Sequence, residues 1–139
     1  MEEVLIRRAL EADVKVFSHL VYEFEKGVRN LVLYTLSEEY LPLALNKLDH
    51  REIEYFVQPV PNKGSVNIFF GRSECLKTLR KFLKERPLNS LSPEEDFILG
   101  ALLGYDLCRQ CERYCNRVER AEKTYKENNE PFVPMYGNL

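Results

Sequence analysis

The chain has 139 residues, of which 45% are hydrophobic and 30% charged, and its formal net charge is −2. This length and composition predict one folded domain, and the charge argues against a general nucleic-acid binder, which needs a cationic surplus. No run reaches the about 18–20 apolar residues of a membrane span and no secretory signal is recognisable, so we expect a cytoplasmic protein with reduced cysteines.

The first part of the chain predicts one helix and two strands. Residues 2–12 are consistent with a short helix. Apolar residues alternate along residues 17–24, which favours a strand with one buried face. Residues 25–27 (EKG) are typical of a turn. The almost wholly apolar run 30–36 then predicts a strand at the centre of a sheet.

A helix and a second pair of strands follow. Ser37 is expected to cap a helix that runs to about Leu48, because acidic residues follow it where they suit the positive end of the helix dipole. The alternating or apolar runs 53–58 and 66–70 predict two further strands. Between them, residues 59–64 contain two prolines and a glycine, which indicate a loop.

Two helices complete the predicted domain. Residues 73–84 have the spacing of an amphipathic helix. Residues 92–95 (SPEE) have the composition of a capping box, and we expect the helix that they start to continue unbroken to about Lys123. Residues 124–139 are polar and contain two prolines, so they are predicted to be a flexible tail.

The order of these elements predicts an α+β fold. We expect a four-stranded, mainly antiparallel sheet of ferredoxin-like or permuted ferredoxin-like topology, with two covering helices and a long C-terminal helix. The domain would span residues 15–123, between an N-terminal extension (1–14) and the tail (124–139). Ferredoxin-like sheets often mediate assembly or bind ligands, so fold analogy alone also allows a homodimeric small-molecule sensor.

Three of the four cysteines fall on one side of the predicted long helix. At 100° per residue, Cys108, Cys111 and Cys115 lie within about 60° of one another, on an arc that also holds Leu107 and Val118. Charged residues occupy the opposite side. We therefore expect these cysteines to face the core, where a free cysteine behaves as a small hydrophobic residue.

A metal site is the first alternative, either zinc or an iron–sulfur cluster, with Cys75 as a fourth ligand. The spacing is unfavourable, because Cys108 and Cys115 are two turns apart, about 10.5 Å along the helix axis. Thiolates on one zinc ion lie at most about 4.6 Å apart. Packing is therefore favoured over a metal or iron–sulfur protein, which stays open as an alternative.

Thiol chemistry is the second alternative. A thioredoxin-like C-x-x-C pair works at the start of a helix, whereas Cys108 is far from the predicted start at Ser92. A single nucleophilic cysteine would need His19 or His50 as its base, and no local signature supports that arrangement. The sequence carries no enzyme motif, so enzymatic activity is uncertain and a binding role is favoured.

Two rows of basic residues are candidate binding surfaces. The first, on the predicted helix 73–84, consists of Lys77, Arg80, Lys81 and Lys84. The second, on the long helix, consists of Arg109, Arg113, Arg117 and Arg120. Like charges four residues apart destabilise an isolated helix slightly, so helix stability does not explain the rows. They are either ordinary solvated faces or docking surfaces for an acidic partner.

Two segments resemble a known family. They are residues 22–33 (YEFEKGVRNLVL) and residues 91–106 (LSPEEDFILGALLGYD), the second continuing through Cys108 to Cys115. Both are similar to a small bacterial family catalogued as domain of unknown function two thousand and twenty-three, over roughly residues 15–118. Its members are small α+β domains with no assigned activity.

The resemblance implies a function near electron transfer. Proteins of this family are encoded beside flavodoxins, which implies a non-enzymatic accessory or binding domain linked to flavodoxin or to low-potential electron transfer. Flavodoxin is an acidic protein that would suit the two basic rows. On this hypothesis no cofactor is predicted, and neither nucleic acid nor membrane is an expected partner.

Overall fold

The computed structural model describes residues 1–61 and 63–129. Its elements, in chain order, are α1 (Glu2–Glu25), β1 (Leu31–Ser37), α2 (Leu41–His50), β2 (Glu54–Val60), β3 (Ser65–Gly71), α3 (Ser73–Phe82), α4 (Pro93–Leu102) and α5 (Leu107–Asn129). A short 3₁₀ turn, Leu88–Ser90, lies between α3 and α4. None of the helices in these ranges combines the length and apolarity that crossing a bilayer requires.

The sheet has three antiparallel strands in the order β1-β3-β2. Leu33 of β1 lies opposite Phe69 of β3, which in turn lies opposite Phe56 of β2. The α+β class and the long C-terminal helix are confirmed. The four-stranded ferredoxin-like sheet is not found in the described part of the chain. β3 is the central strand, so the prediction that the run 30–36 is central was wrong.

Helices cover both faces of the sheet and form two cores. On one face, Phe17 of α1 and Leu48 of α2 pack with Phe70. On the other, Leu79 of α3 and the leucines of α4 pack with Phe69. Neighbouring residues of a strand point to opposite faces, so Phe69 and Phe70 supply one aromatic ring to each core. The prediction that two helices cover a single face is thereby corrected.

The predicted strand at residues 17–24 is the second half of helix α1. The strand interpretation needed Tyr22 on the buried side, but its side chain is 56% exposed. The buried residues are Phe17 and Val21, four positions apart, as on one face of a helix. The sequence FSHLVYEF therefore fits both the two-residue period of a strand and the 3.6-residue period of a helix. Packing against the sheet favours the helix. The short helix expected at 2–12 is the beginning of the same 24-residue helix.

Ser37 does not cap a helix, contrary to expectation. It is the last residue of β1, and its hydroxyl donates to the Asp13 carboxylate of α1 at 2.8 Å. The Tyr34 hydroxyl donates to the same carboxylate at 2.7 Å. Burial, together with Asp13, raises the pKa of Tyr34 to about 12. Asp13 thus joins α1 to β1, while α2 starts later, at Leu41, without a side-chain cap.

The predicted long helix is two helices. The capping box is confirmed, because the Ser92 hydroxyl accepts from the Glu95 N–H and the Glu95 carboxylate accepts from the Ser92 N–H. However, α4 ends at Leu102, and Gly104 takes a positive φ of 78° that favours glycine after a helix. Asp106 then caps α5 by accepting from the Arg109 N–H at 2.9 Å.

Helix α5 continues to Asn129, into the predicted tail. Residues 124–129 are helical rather than loose. The rest of that tail, residues 130–139, lies outside the described residues. The sequence did not predict a helix at 124–129, because these largely polar residues have no apolar stripe of the kind that marks a buried face.

Arg86 connects α3 to the start of α4. Its guanidinium donates to both oxygens of Glu95 at 2.6 and 2.8 Å, and also to the Ser90 carbonyl at 3.0 Å. The hydrogen bonds from Arg86 and from the Ser92 backbone lower the pKa of Glu95 to about 2. The Glu95 carboxylate of the capping box is therefore ionised at neutral pH, and both Arg86 and the Ser92 N–H hold it in place.

We expect acid to destabilise the wild-type chain more than a Glu95→Gln variant between about pH 4.5 and pH 2. The ordinary pKa of a glutamate is 4.5, and the folded chain lowers it to about 2. The stability from this carboxylate is complete above the unfolded pKa and is lost as the pH falls through the folded pKa. Circular dichroism melts across that range test this. A Glu119→Gln control should follow the wild type, and an equal acid response in all three proteins would contradict the prediction.

Candidate functional site

Helix α3 carries the first basic row on its solvent side. Leu76 and Leu79 are fully buried against the sheet. On the opposite side, the four predicted residues are all exposed: Lys77, Arg80, Lys81 and Lys84. Lys84 lies just after the helix ends, in the left-handed region at φ 48°. One cleft is lined by Lys77, Arg80 and Lys81, and we call the surface formed by these three residues the α3 basic face.

Arg80 is held in place, whereas the lysines around it are not. Its guanidinium donates to the Tyr55 carbonyl oxygen of β2 at 3.1 Å and lies 5.6 Å from the centre of the Phe56 ring. Lys77 and Lys81 form no ion pair within the described part of the chain. Beside them, between α3 and the start of β2, lies a shallow cleft of about 350 Å³. This arrangement presents positive charge to an anionic group with one guanidinium already positioned.

The second basic row is partly used inside the protein. Arg113 forms a two-point ion pair with Asp96 of α4, with nitrogen–oxygen distances of 2.7 and 3.1 Å. Arg117 donates to the Leu91 carbonyl at 3.0 Å and lies 3.5 Å from Asp96. Arg113 is the main cause of the lowered pKa of Asp96. Only Arg109 and Arg120 of this row are without an ion pair in the described ranges, so half of the row is already engaged within the protein.

The cysteines of α5 are exposed, so the prediction that they face the core was wrong. Cys108, Cys111 and Cys115 are all on the surface. Helix α5 instead packs on α4 through the side that holds the buried Gln110 and the half-buried Tyr114. These two residues are centred about 110° away from the cysteines on a helical wheel. The reason for the error is the break at Gly104, which frees α5 to present a different side from the one that continues α4.

The same break changes the argument about thiol chemistry. Because α5 begins at Leu107, the pair Cys108 and Cys111 lies in its first turns rather than far along a helix. The stated objection to a C-x-x-C pair therefore no longer holds. A position at a helix start does not by itself assign a redox role, and that role stays a prediction.

The described residues do not form a metal-binding site. No group of three or more His, Cys, Asp or Glu side chains among them is arranged to hold a metal ion. Cys75 is half-buried on α3 beside the second core, and burial raises the pKa of its thiol. His19 pairs with Glu23 at 2.7 Å, within α1. The zinc or iron–sulfur alternative stays a prediction without support from this geometry.

Sequence reasoning missed a cleft between α4, α5 and the sheet. Its volume is about 410 Å³, and its lining includes Leu33, Leu99 and Leu103 together with Tyr105 and Gln110. Gln110 packs against Gly100, where a Cβ atom would overlap the Gln110 amide. A glycine within the apolar run of α4 was the one sequence signal of this close approach.

Comparison with known proteins gives one family. A family model described as "Protein of unknown function (DUF2023)" matches residues 15–117. That range includes the whole sheet, α2 to α4, most of the packed part of α1 and the first half of α5. No curated protein matches the chain.

We expect three fast-reacting thiols and one slow one in the native protein. Cys108, Cys111 and Cys115 are exposed, whereas Cys75 is half-buried and its raised pKa keeps it protonated. Release of thionitrobenzoate from Ellman's reagent, followed over time, distinguishes the two classes. A Cys75→Ser variant should lose the slow phase alone. A single fast thiol in the wild type would contradict the exposure of the α5 cysteines.

Proposed function

The chain belongs to the DUF2023 family of unknown function, and on that premise we propose that it is a non-enzymatic cytoplasmic binding domain that docks an acidic protein on the α3 basic face. Flavodoxin is the partner that the family resemblance suggests, through a link to low-potential electron transfer. The observation that carries the proposal is the set of exposed lysines on α3 that have no carboxylate partner in the described part of the chain.

The contrast between the two basic rows supports this choice of surface. On α5, Arg113 and Arg117 share the single carboxylate of Asp96, so part of their charge is already neutralised inside the protein. Beside α3, Glu54 of β2 also lines the cleft, but it forms no ion pair with these basic residues in the described part of the chain. Unneutralised charge on one helix face attracts an acidic surface over a distance of about one Debye length, near 10 Å at 0.1 M salt.

The position of Arg80 supports docking rather than simple solvation. A guanidinium that is already fixed over an aromatic ring loses little conformational freedom when a partner's carboxylate binds it. Lys77 and Lys81 on either side add charge that is free to adapt. The binding expected from such a surface is weak and sensitive to salt, as is common for transient electron-transfer complexes.

We expect a Lys77→Glu/Lys81→Glu double variant to bind flavodoxin about tenfold more weakly than the wild type, because two attractive charges become repulsive. Titration by isothermal calorimetry or by NMR at low ionic strength measures this, and rising salt should weaken wild-type binding more than binding of the variant.

The matched control reverses the same number of charges elsewhere. Lys123 and Lys126 are exposed on α5, and a Lys123→Glu/Lys126→Glu variant should bind much as the wild type does. If both double variants lose affinity equally, the attraction depends on net charge rather than on the α3 basic face. If wild-type protein shows no binding at low ionic strength, the proposal is wrong.

A further inference from the structure

The cleft between α4, α5 and the sheet lies apart from the α3 basic face. Its floor is apolar, formed by Leu33 of β1 with Leu99 and Leu103 of α4. These leucines belong to or pack against the second core. The 3₁₀ turn closes one side with Leu88 and Asn89. A half-open, apolar cleft of about 410 Å³ falls within the range of small-ligand pockets, about 300–1,000 Å³.

Gln110 places a polar group in this apolar cleft. Its side chain lines the cleft, and the residue is only 7% exposed. Neither its carbonyl oxygen nor its amide nitrogen forms a hydrogen bond to the protein within residues 1–61 and 63–129. No buried side-chain nitrogen or oxygen in the described residues lacks a partner, so both atoms of this amide keep contact with the solvent in the cleft. A ligand that displaces that solvent has to replace its hydrogen bonds to the amide. Packing within the protein does not explain why an amide without a protein partner lies in the wall of this cleft.

Gly100 provides the space in which the Gln110 side chain lies. The amide lies against the backbone of α4 at the position that a Cβ would occupy, so only glycine allows this placement. The side chain is therefore held in one orientation, with its carbonyl and amide groups available side by side. An amide presented in this way can donate one hydrogen bond and accept another from the same ligand group.

The two charged side chains that line the cleft at its rim are already paired with each other. Asp96 and Arg113 both line the cleft, and they form a two-point ion pair with each other. Arg117 adds a second cation near the same carboxylate at 3.5 Å. A charged ligand would have to break this pairing, which also holds α5 to α4. A neutral ligand would leave this ion pair intact.

We propose that this cleft binds a small neutral molecule with an amide-type edge, an N–H beside a C=O, carried on an apolar ring or chain. The Gln110 amide pairs with that edge through two hydrogen bonds, and the leucine floor takes the apolar part. The exposed ring of Tyr105 covers the ligand from the loop between α4 and α5.

Two pairs of probes test the proposal by NMR on ¹⁵N-labelled full-length protein. δ-Valerolactam and uracil each have an amide-type edge, whereas N-methyl-δ-valerolactam and 1,3-dimethyluracil have the same ring without the N–H. We expect saturable shifts of the Gln110 side-chain amide signal and of the α4 backbone amides with at least one unmethylated probe. Its methylated partner should bind about tenfold more weakly, because one hydrogen bond to a buried amide is lost.

Two variants distinguish a ligand-binding role of Gln110 from a structural one. Gln110→Leu should abolish the response to the probes, while its thermal unfolding midpoint stays close to that of the wild type, because no hydrogen bond within the protein is removed. Gln110→Glu keeps the shape and removes the N–H₂ donor, and it should also lose the response. Asn116→Leu makes the same exchange on the exposed side of α5 and should leave probe binding unchanged.

Three results would overturn the proposal. One is the absence of saturable shifts with both unmethylated probes, which would mean that solvent alone hydrates the amide. Another is equal binding of methylated and unmethylated rings. The third is a Gln110→Leu variant that still binds, or that unfolds at a clearly lower temperature, since the amide would then serve the fold.

Discussion

Strand β3 is buried from Val66 to Gly71, and its side chains alternate between two separate cores. The strand can be stable only if both faces of the sheet are covered, because an apolar strand in contact with water on one side would expose Phe69 or Phe70. Helices α1 and α2 meet this need on one face, and α3 and α4 meet it on the other. The placement of all the other elements follows from this requirement.

Covering the second face positions the functional surfaces. Because α3 buries Leu76 and Leu79, its lysines must point outward, next to the edge strand β2. Because α4 is short and lies on the same face, α5 must pack on α4 rather than on the sheet. The missed cleft is the space left where these two helices and β1 meet. The docking face and the cleft therefore both result from how two short helices share one side of a narrow sheet.

Local signals in the sequence predicted the elements that depend on local chemistry. The capping box at Ser92, the three strands of the sheet and helix α3 were all found, since their patterns fit one structure only. The segment 17–24 was mistaken because Leu20 and Phe24, four residues apart, share one side of a strand and also of a helix, and only the partner surface decides between the two. At Gly104 the stop signal was present, followed by Asp106 as a cap. The continuous apolar run before Gly104 nevertheless favoured the prediction of one unbroken helix.

The candidate site was only partly predictable, for a related reason. The basic residues could be read from spacing, but which of them are neutralised depends on contacts across helices, such as those of Asp96. The exposure of the cysteines depends on the angle at which α5 leaves the Gly104 turn. Gln110 gave no signal at all, because an amide in a charged helix looks like a surface residue until its neighbour Gly100 is placed beside it.

The contacts of Arg113 and Arg117 with α4 and Leu91 also divide α5 in two. Helix α4 is about 15 Å long and α5 about 35 Å, so the part of α5 beyond Arg117 extends past the helix that supports it. An isolated helix of about 12 residues is marginal in water. Opposite charges stand four residues apart there, Glu119 and Lys123 and again Glu122 and Lys126, but neither pair is close enough to form an ion pair within the described residues. The local stability of α5 should therefore fall along its length. Its amide protons should exchange slowly near Gln110 and progressively faster toward Asn129.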